Sequence, residues 1–153
     1  AAINYLDNTK DLNALTTVAH TENGAGVYIG TAGNICVNLS SQKKIIDNGA
    51  TSSATTNKLV DSTQNFSSTV QARDLVVNTT DGTVAFVGAV DSDTTLSLVD
   101  AANSASDIMA SGEKYEIHRP ILFQNIAAGS FLPIEVDRIF AFATTADDIM
   151  AIY

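Results

Sequence analysis

Short hydrophobic segments are separated by polar residues along most of this 153-residue chain. Within several of these segments apolar and polar residues alternate, and this two-residue period is typical of β-strands. The clearest pattern lies in residues 75–80 and 83–87, where β-branched side chains flank the pair Asp81-Gly82. This pair supplies the positive φ angles that a two-residue hairpin turn needs, so the two segments predict a β-hairpin. Residues 94–99 and 114–118 predict two more strands, and the four segments together indicate a small meander or barrel.

Two further strands are predicted nearer the amino terminus, at residues 27–29 and 35–39, which are rich in Val and Ile. The segment Gly30-Thr31-Ala32-Gly33 lies between them, and its glycines permit a tight reversal of the chain. One face of the second strand is apolar throughout and therefore predicts the core side. This face comprises Ile35, Val37 and Leu39.

The carboxy-terminal part predicts a strand at residues 121–123, a long strand at 132–142 and a closing strand at 148–153. Pro133 has no N–H group for a sheet ladder, so we expect it at the start of a strand or on an edge. In the long strand the apolar positions change parity near Arg138. Either a bulge at that point or a face that turns towards a partner would reconcile the two halves.

Charge divides the chain into a terminal and an inserted part. Residues 45–118 hold ten acidic and three basic residues, which is −7 of the total charge of −9, so the remainder is nearly neutral. Within this part, the small and polar residues 47–56 indicate a linker. We predict an all-β fold, in which residues 1–44 and 119–153 build a small β-sandwich or barrel. A small β-barrel-like domain is inserted between them, and the weakly patterned start of the chain fits either a helical turn or an extended arm.

The composition excludes several classes of protein. A net charge of −9 repels phosphate backbones and anionic lipid surfaces, so we expect no nucleic-acid partner and no membrane partner. Cys36 is the single cysteine, and with His20 and His118 it gives too few ligands for a Cys/His zinc site. No apolar run reaches the roughly 18 residues of a membrane span, and no secretion signal stands out, so we expect neither insertion nor export.

Candidate cofactor and metal sites each have a simpler structural explanation. The segment Gly24-Ala25-Gly26 precedes a strand, whereas a nucleotide-binding glycine loop joins a strand to a helix. His20 and Glu22 lack the downstream pair of cysteines that a zinc deaminase requires. The segment 91–100 contains several carboxylates but lacks the central glycine and the terminal glutamate of a calcium-binding loop. A polar hairpin turn is therefore favoured.

The sequence signals for a catalytic nucleophile or an acid–base pair are equally weak. Ser130 lacks the second flanking glycine of a nucleophile elbow. Cys36 has apolar neighbours and no adjacent basic residue, which predicts a packed, inert thiol. Asp147 and Asp148 are adjacent and would point to opposite faces of a strand. We therefore expect no enzymatic activity, no cofactor and no metal, and by elimination a protein that occupies a place in an assembly.

Three segments of the terminal part, residues 26–37, 123–138 and 143–153, resemble the small head-spike base and decoration proteins of tailed bacteriophages and gene transfer agents. The residues that carry the resemblance are Tyr28-Ile29-Gly30-Thr31-Ala32-Gly33, Phe123-Gln124-Asn125-Ile126, Leu132-Pro133-Ile134 and Asp148-Ile149-Met150-Ala151-Ile152-Tyr153. The chain departs from the family at residues 45–119, where the family has a short turn. This difference leaves open whether the protein is a spike base or a more general capsid cement.

The resemblance implies a virion structural protein, made in the host cytoplasm, that decorates the outer capsid surface and stabilises the head. Its partners would be the major capsid protein, further copies of itself in a trimer or pentamer, and a spike or fibre protein. A strand with several phenylalanines beside a small-residue turn forms an apolar patch. We expect this patch to face a sister subunit or the capsid, and it comprises Phe131, Phe140, Phe142, Ile152 and Tyr153. The sequence equally allows these side chains to fill the domain's own core.

The sequence also allows two other functions. The first is the base of a head spike or tail spike, or a host-glycan-binding module, which needs an exposed aromatic side chain to stack on a sugar ring. With no Trp and four Tyr, the chain has few such residues. The second is a cell-wall hydrolase, which needs two carboxylates across a cleft. The sequence leaves open whether Glu113, Glu116 or the aspartates converge in this way.

Overall fold

The computed structural model of the chain describes residues 3–6, 26–39 and 45–152. In chain order the elements are β1 (Ile3–Leu6), β2 (Gly26–Thr31), β3 (Gly33–Leu39), β4 (Asp47–Ala50), β5 (Lys58–Val60), α1 (Phe66–Thr69), β6 (Leu75–Asn78), β7 (Val84–Ser92), β8 (Thr95–Val99), β9 (Lys114–His118), β10 (Ile121–Ile126), β11 (Ser130–Leu132), β12 (Val136–Phe140) and β13 (Asp147–Ile152). The predicted all-β fold is confirmed.

The chain divides into two compact units. The terminal unit comprises Ala1–Gln42 and Pro120–Tyr153, and the inserted unit comprises Lys43–Arg119. The division lies close to the predicted boundaries at 44/45 and 118/119, but the small difference moves three basic residues into the insert. The inserted unit then has ten acidic and six basic residues, and the terminal unit has seven acidic and two basic residues. Both units are therefore acidic when the chain is divided in this way.

The terminal unit contains two antiparallel sheets that bury one shared core. The four-stranded sheet has the order β1-β13-β2-β11, and the three-stranded sheet has the order β10-β3-β12. β2 and β3 each send alternate residues to the core. These core residues are Val27, Ile29, Ile35, Val37, Ile126, Val136, Ile139, Ala146 and Ile149. The predicted apolar face of β3 is confirmed, because Ile35 and Val37 are fully buried and Leu39 packs against the same cluster.

β2 and β3 lie in different sheets, so the expected tight reversal between them does not form a hairpin. The chain changes sheets at Ala32, the one residue between these two strands. Gly33 is required at the change of sheet, since a Cβ atom there would be 2.6 Å from the carbonyl carbon of Thr145. Thr145 and Ala146 both donate their N–H groups to the carbonyl oxygen of Asn34, which fixes this crossing.

The predicted long strand at 132–142 is broken into β11 and β12. The break contains Pro133, which cannot donate a ladder hydrogen bond. The predicted bulge near Arg138 is confirmed, because Val136 pairs with Leu39 whereas Arg138 pairs with Asn38. This shift in register allows Val136 and Ile139 to face the same core although they are three residues apart.

The inserted unit is a single six-stranded sheet with the order β4-β9-β6-β7-β8-β5. The segment that follows β4 joins the two edges of this sheet. Thr51 donates its N–H to the carbonyl oxygen of Glu113, while Ser52 donates to that of Val60 in β5, over 2.9 and 2.8 Å. The sheet therefore curls into a partly closed barrel. α1 contributes Phe66, which is fully buried with its ring centroid 6.3 Å from that of Tyr115.

The predicted hairpin in the inserted unit is confirmed, but its turn is longer than two residues. β6 pairs with β7 from Leu75 opposite Phe86 to Val77 opposite Val84. Asn78 then accepts hydrogen bonds from the N–H groups of Thr80 and Asp81 on its side-chain oxygen. This local turn lengthens the loop, and only Gly82 of the Asp-Gly pair takes a positive φ, at 83°.

The segment 47–56 begins with a strand, β4, so the expectation of a linker there is wrong for residues 47–50. Its small residues make room for a buried polar cluster. A Cβ atom at Gly49 would be 2.5 Å from Oδ2 of Asp61 and 2.7 Å from the hydroxyl of Tyr115. That hydroxyl donates a 2.8 Å hydrogen bond to Asp61, and Thr63 donates to the other carboxylate oxygen. Burial and the adjacent Asp61 raise the pKa of Tyr115 well above its usual range.

An ion pair holds the end of the inserted unit. Arg119 donates from Nε and Nη2 to the two carboxylate oxygens of Asp74, over 2.8 and 2.9 Å. Asp74 is buried, with its side chain 1% exposed. The same guanidinium donates to the carbonyl oxygen of Thr69, so it ties α1, β6 and the end of β9 together. Among the described residues, no helix is long and apolar enough to cross a membrane.

Candidate interaction surface

The four-stranded sheet of the terminal unit has one face on the core and one face away from it. In β2, Val27 and Ile29 are fully buried in the core. Tyr28 lies between them and points to the opposite side, because successive side chains of a strand alternate. The same reasoning places Met150 of β13 on the outer side, since Ile149 is in the core. Both Tyr28 and Met150 are half-buried.

The strand register aligns the outer residues in one row. Tyr28 of β2 is directly opposite Met150 of β13 on one side and Phe131 of β11 on the other. Directly opposite residues on one face have Cβ atoms about 4.5–5.5 Å apart, so these three residues occupy neighbouring positions on the sheet. The backbone register continues this row to β1, where Tyr5 is paired with Met150. Tyr28, Phe131 and Met150, together with Gly26, are called the aromatic face below.

Phe131 is the most prominent residue of this surface. Its side chain is 52% exposed, and it is the single exposed large hydrophobic residue among those the structure describes. β11 is the edge strand of the sheet, so the residue is open on the side away from Tyr28. The ring lies against Gly26, where a Cβ atom would be 2.5 Å from Cε2 of Phe131. The absence of a side chain at Gly26 therefore sets the position of the ring.

A carboxylate lies at one end of the aromatic face. Asp148 is exposed and has its Cβ 2.5 Å from the position that a Cβ of Gly30 would occupy. Gly30 is two residues from Tyr28 on β2, so Asp148 is on the same side of the sheet as the aromatic face. Thr31 donates its hydroxyl to Oδ2 of Asp148 over 2.8 Å. This hydrogen bond orients the carboxylate beside the apolar row.

The predicted interface residues have different positions in the structure. Phe131 is exposed, as expected of an interface residue. Phe140 is 0% exposed, so the expectation that it faces a partner is wrong, and it belongs to the interior, which is the alternative left open above. Phe142 is half-buried. Ile152 ends β13, where its backbone pairs with Gly26, and Tyr153 lies outside the described residues.

Tyr28, Met150 and Gly26 were not identified as a surface from the sequence. Tyr28 lies in a short apolar stretch whose two faces look alike, and Met150 lies in the closing strand among other apolar residues. The signal that separates them is the strict burial of the alternate residues Val27, Ile29 and Ile149. Their relation to Phe131 depends on pairing between strands about one hundred residues apart, which no local pattern contains.

The candidate catalytic residues have structural roles. Cys36 is fully buried, and Ser130 is half-buried in β11. Glu113 accepts hydrogen bonds from the side chain of Asn78 and the N–H of Ala110, so it holds the loop before β9. Glu116 lies 3.0 Å from Nε2 of His118 on the same strand. His20 and Glu22 lie outside the described residues.

The one serine with an adjacent amine is Ser97 of the inserted unit, as far as the described residues extend. Lys58 is 2.6 Å from the hydroxyl of Ser97 and 2.8 Å from Oδ2 of Asp91. Burial raises the pKa of the Asp91 carboxyl, but hydrogen bonds from Lys58 and Ser97 lower it more, so the carboxyl stays ionised. Lys58 and Ser97 both donate hydrogen bonds to this carboxylate, which indicates a cross-strand stabilising cluster.

The aspartates of the β7–β8 region do not form a cation site. Asp100 accepts hydrogen bonds from the N–H groups of Ala102 and Ser104, which closes a turn, and Asp91 is paired with Lys58. Among the residues that the structure describes, no group of three or more His, Cys, Asp and Glu side chains converges as metal ligands would. Comparisons of the chain with models of protein families, with curated proteins and with solved structures find no match.

Proposed function

We propose that this chain is a virion structural protein that decorates the outer surface of an icosahedral capsid. In this proposal it acts without catalysis, assembles as a trimer or pentamer, and binds the major capsid protein through its terminal unit. A spike or fibre protein is a further partner in the same proposal. The inserted unit projects as an additional module.

The arrangement of the resembling segments supports this proposal. Residues 26–37 contain all of β2 and most of β3, residues 123–138 contain most of β10 and all of β11, and residues 143–153 contain β13. β11 and β13 are the two neighbours of β2 in the four-stranded sheet. The segments that resemble phage head proteins are thus adjacent strands of one unit, as expected if they share a role.

The observation that carries the proposal is the exposure of Phe131. Burial of an exposed aromatic side chain is a main source of binding free energy at protein interfaces. A solvent-exposed phenylalanine also lowers the solubility of a protein. Phe131 is held beside Tyr28 by the register of β11 and β2 and by Gly26, and Met150 lies on the other side of Tyr28. A rigid apolar surface of this kind fits a protein that docks on a preformed partner.

Decoration stabilises a capsid by mass action. A ligand that binds the assembled shell and not its separated subunits lowers the free energy of the shell by the binding free energy of each copy. Because the shell repeats its binding sites, an oligomer can bind several of them at once, and the modest binding free energies of the individual contacts add together. The net charge of −9 on each copy gives the decorated particles a repulsive surface that keeps them dispersed.

Co-sedimentation tests the proposal. The purified protein is mixed with capsids assembled from the major capsid protein of the virus that would encode it, and the capsids are pelleted. We expect the protein in the pellet at a fixed ratio to capsid subunits, and decorated capsids that rupture at a higher temperature than bare ones. Protein that stays in the supernatant would refute the decoration role. A light-scattering mass near the 16.0 kDa of one chain at micromolar concentration would refute the stable oligomer.

A glycan-binding module on a spike is the second candidate, and the aromatic face favours it to some extent. Tyr28 and Phe131 are directly opposite each other on the outer side of the sheet, which is a platform on which a sugar ring could stack. The neighbouring positions Gly26 and Gly30 carry no side chains to bind sugar hydroxyls, so decoration remains the main proposal. A glycan array separates the two functions, since a decoration protein gives no signal above background.

A further inference from the structure

The second face of the three-stranded sheet carries an arginine. Arg138 lies in β12 next to Ile139, which belongs to the core. Successive side chains of a strand alternate, so Arg138 and Phe140 point to the face away from that core. In the strand register they are opposite Asn38 and Cys36 of β3. Cys36 and Phe140 are fully buried and Asn38 is nearly so, which shields this part of the second face from water.

The guanidinium of Arg138 has buried donors without acceptors. Its Nε and Nη1 atoms are buried, and no acceptor among the described residues lies within hydrogen-bond distance of either atom. The ring of Phe140, with its centroid 5.9 Å from Cζ of Arg138, provides a weak cation–π contact. Buried donors of this kind are rare in folded proteins, because the hydrogen bonds that they lose to water are not replaced.

The chemistry of the missing acceptor follows from the nature of arginine. A guanidinium carries a positive charge in proteins, and its planar N–H groups match the two oxygens of a carboxylate. Arg119 of the inserted unit shows the complete arrangement, since it donates to both carboxylate oxygens of Asp74 over 2.8 and 2.9 Å. A neutral acceptor would satisfy the N–H groups of Arg138 but leave its charge unpaired, whereas a carboxylate satisfies both.

A second copy of the chain is a rich source of carboxylates. The terminal unit has seven acidic and two basic residues, and Arg138 is one of the two. Each copy therefore offers acidic groups in excess to its neighbour. The net charge of −9 repels free anions from the protein, whereas a carboxylate on a bound neighbour is present at a high effective concentration.

The two-sheet arrangement separates Arg138 from the aromatic face. The two sheets of the terminal unit bury one shared core, so their other faces point in opposite directions. Tyr28 and Phe131 lie on the outer side of the four-stranded sheet, and Arg138 lies on the far side of the three-stranded sheet. A capsid surface that covers Phe131 therefore does not supply the acceptor for Arg138.

We infer that Arg138 pairs with a carboxylate of a neighbouring copy of this chain. This inference rests on the oligomer in the proposed function and names one residue of the subunit contact. The acidic side chain comes from a different part of the next copy, so the contact is heterologous and can close into the ring that a trimer or pentamer forms. Arg138 is half-buried, and neither buried donor is fixed by a hydrogen bond. Rotation about its side-chain bonds can thus bring the guanidinium to the carboxylate.

The test is sedimentation equilibrium of the full-length protein over a range of NaCl concentrations. Arg138→Met removes the charge and keeps an unbranched side chain that suits a buried position. Lys114→Met removes one positive charge from an exposed position of the inserted unit and is the matched control. Urea unfolding at a concentration low enough to dissociate the oligomer measures the stability of the single chain for each variant.

The variants have distinct expected results. Arg138→Met weakens subunit association by about tenfold or more, because the neighbour's carboxylate loses its partner. The dilute Arg138→Met chain unfolds at an unchanged or higher urea concentration, since an apolar side chain replaces a buried charge that lacks an acceptor. Lys114→Met associates within about twofold of the unchanged protein. Added NaCl weakens association of the unchanged protein more steeply than that of Arg138→Met.

Three results would overturn the inference. The first is an unchanged protein that is a monomer, or an Arg138→Met protein that associates as strongly as the unchanged one. The second is a lower urea midpoint for the dilute Arg138→Met chain, which would mean that Arg138 is already satisfied within its own chain. The third is a melting temperature that sodium phosphate or acetate raises for the unchanged protein and not for Arg138→Met, at matched ionic strength and with the oligomer intact in both. The site would then take a free anion.

Co-sedimentation with capsids separates this inference from the proposed function. If the unchanged protein pellets with capsids and Arg138→Met keeps its oligomer, the inference is wrong and the decoration role stands. If Arg138→Met dissociates the oligomer but the unchanged protein does not pellet with capsids, the subunit contact stands and the decoration role fails.

Discussion

The ring of Phe131 lies on the backbone of Gly26, so closely that a Cβ atom at position 26 would be 2.5 Å from Cε2 of the ring. The same Cβ atom would be 2.7 Å from the carbonyl oxygen of Leu132, the residue after Phe131 on the edge strand. The absence of a side chain at Gly26 thus leaves room both for the ring of Phe131 and for the strand that carries it. The exposure of Phe131 follows from this contact and from the position of β11 at the sheet edge.

Gly26→Ala should therefore destabilise the terminal unit although alanine suits a β-strand better than glycine. Forcing a methyl group into a packed contact typically costs about 1–3 kcal/mol. Urea denaturation followed by circular dichroism measures the change. The double variant Gly26→Ala with Phe131→Ala should recover part of the loss, since the ring is then gone and the backbone contact with Leu132 remains. A Gly26→Ala protein as stable as the original would contradict the packing described here.

The elements with a strong local pattern could be predicted from sequence. β9 was predicted with its observed bounds, since Tyr115 and Ile117 alternate with polar residues, and the bulge beside Arg138 follows from the change of parity there. β4 was missed because Asp47, Asn48 and Gly49 have no strand pattern of their own. They are held in a strand by pairing with β9 and by the polar cluster that Gly49 accommodates.

The candidate surface was predictable only in part. Phe131 stands out as a phenylalanine beside the turn Ala127-Ala128-Gly129. Phe140 looks similar in sequence, but it lies in a three-stranded sheet and is fully buried. Which phenylalanine faces solvent depends on the sheet to which each strand belongs. The break at Pro133 places the two on different sheets, and the sequence pattern did not reveal it.

Acid should weaken the inserted unit through Asp61. Burial raises the pKa of this carboxyl, but hydrogen bonds from Thr63, Tyr115 and Gln64 lower it more, so the pKa lies below its ordinary value of 3.8. A carboxyl with a depressed pKa in the folded state adds stability above its unfolded pKa and loses it as the pH falls through the folded pKa. The Asp61 contribution is therefore complete above about pH 5, begins to fall near pH 3.8 and is lost as the pH drops through the lower pKa of the folded state.

Asp61→Asn checks this prediction. At pH 7 the variant should lose about 1–3 kcal/mol of unfolding free energy, since the charged acceptor of several buried hydrogen bonds is gone. The difference from the unchanged protein should shrink as the pH is lowered from 3.8 through the lower pKa of the folded state, below which the carboxyl is protonated in both states. Urea titrations at several pH values measure both quantities, with Asp93→Asn as control. A difference that is constant with pH would rule out the proposed linkage.

Arg119→Met should destabilise the inserted unit. The change leaves the buried carboxylate of Asp74 without the guanidinium and with a hydrogen bond from the N–H of Gln71, at 2.9 Å. Hydrogen bonds to a charged group contribute about 1.5–3 kcal/mol each to stability. Removing one partner of a buried ion pair also leaves the other charge buried and unpaired, which is destabilising. Differential scanning calorimetry should show a lower melting temperature. Adding Asp74→Asn should restore part of the stability, whereas an unchanged melting temperature for Arg119→Met would count against the ion pair.

The terminal unit should fold without the insert. β3 and β10 are antiparallel neighbours with Val37 opposite Ile121, so their ends can be joined by a short turn to make a hairpin. In the insert, β4 and β9 are paired in the same way, with Asp47 opposite Ile117. Removing residues 45–118 and adding an Asn-Gly turn should leave a protein with a cooperative thermal transition. A gradual, non-cooperative melt would contradict the two-unit organisation.

The most direct measurement of the central claim is an electron cryomicroscopy map of the capsid that carries this chain. The account predicts density for the terminal unit on the outer surface, with Phe131 in van der Waals contact with an apolar residue of the capsid protein. Capsids without this density, or a bound chain whose Phe131 points into solvent, would contradict it.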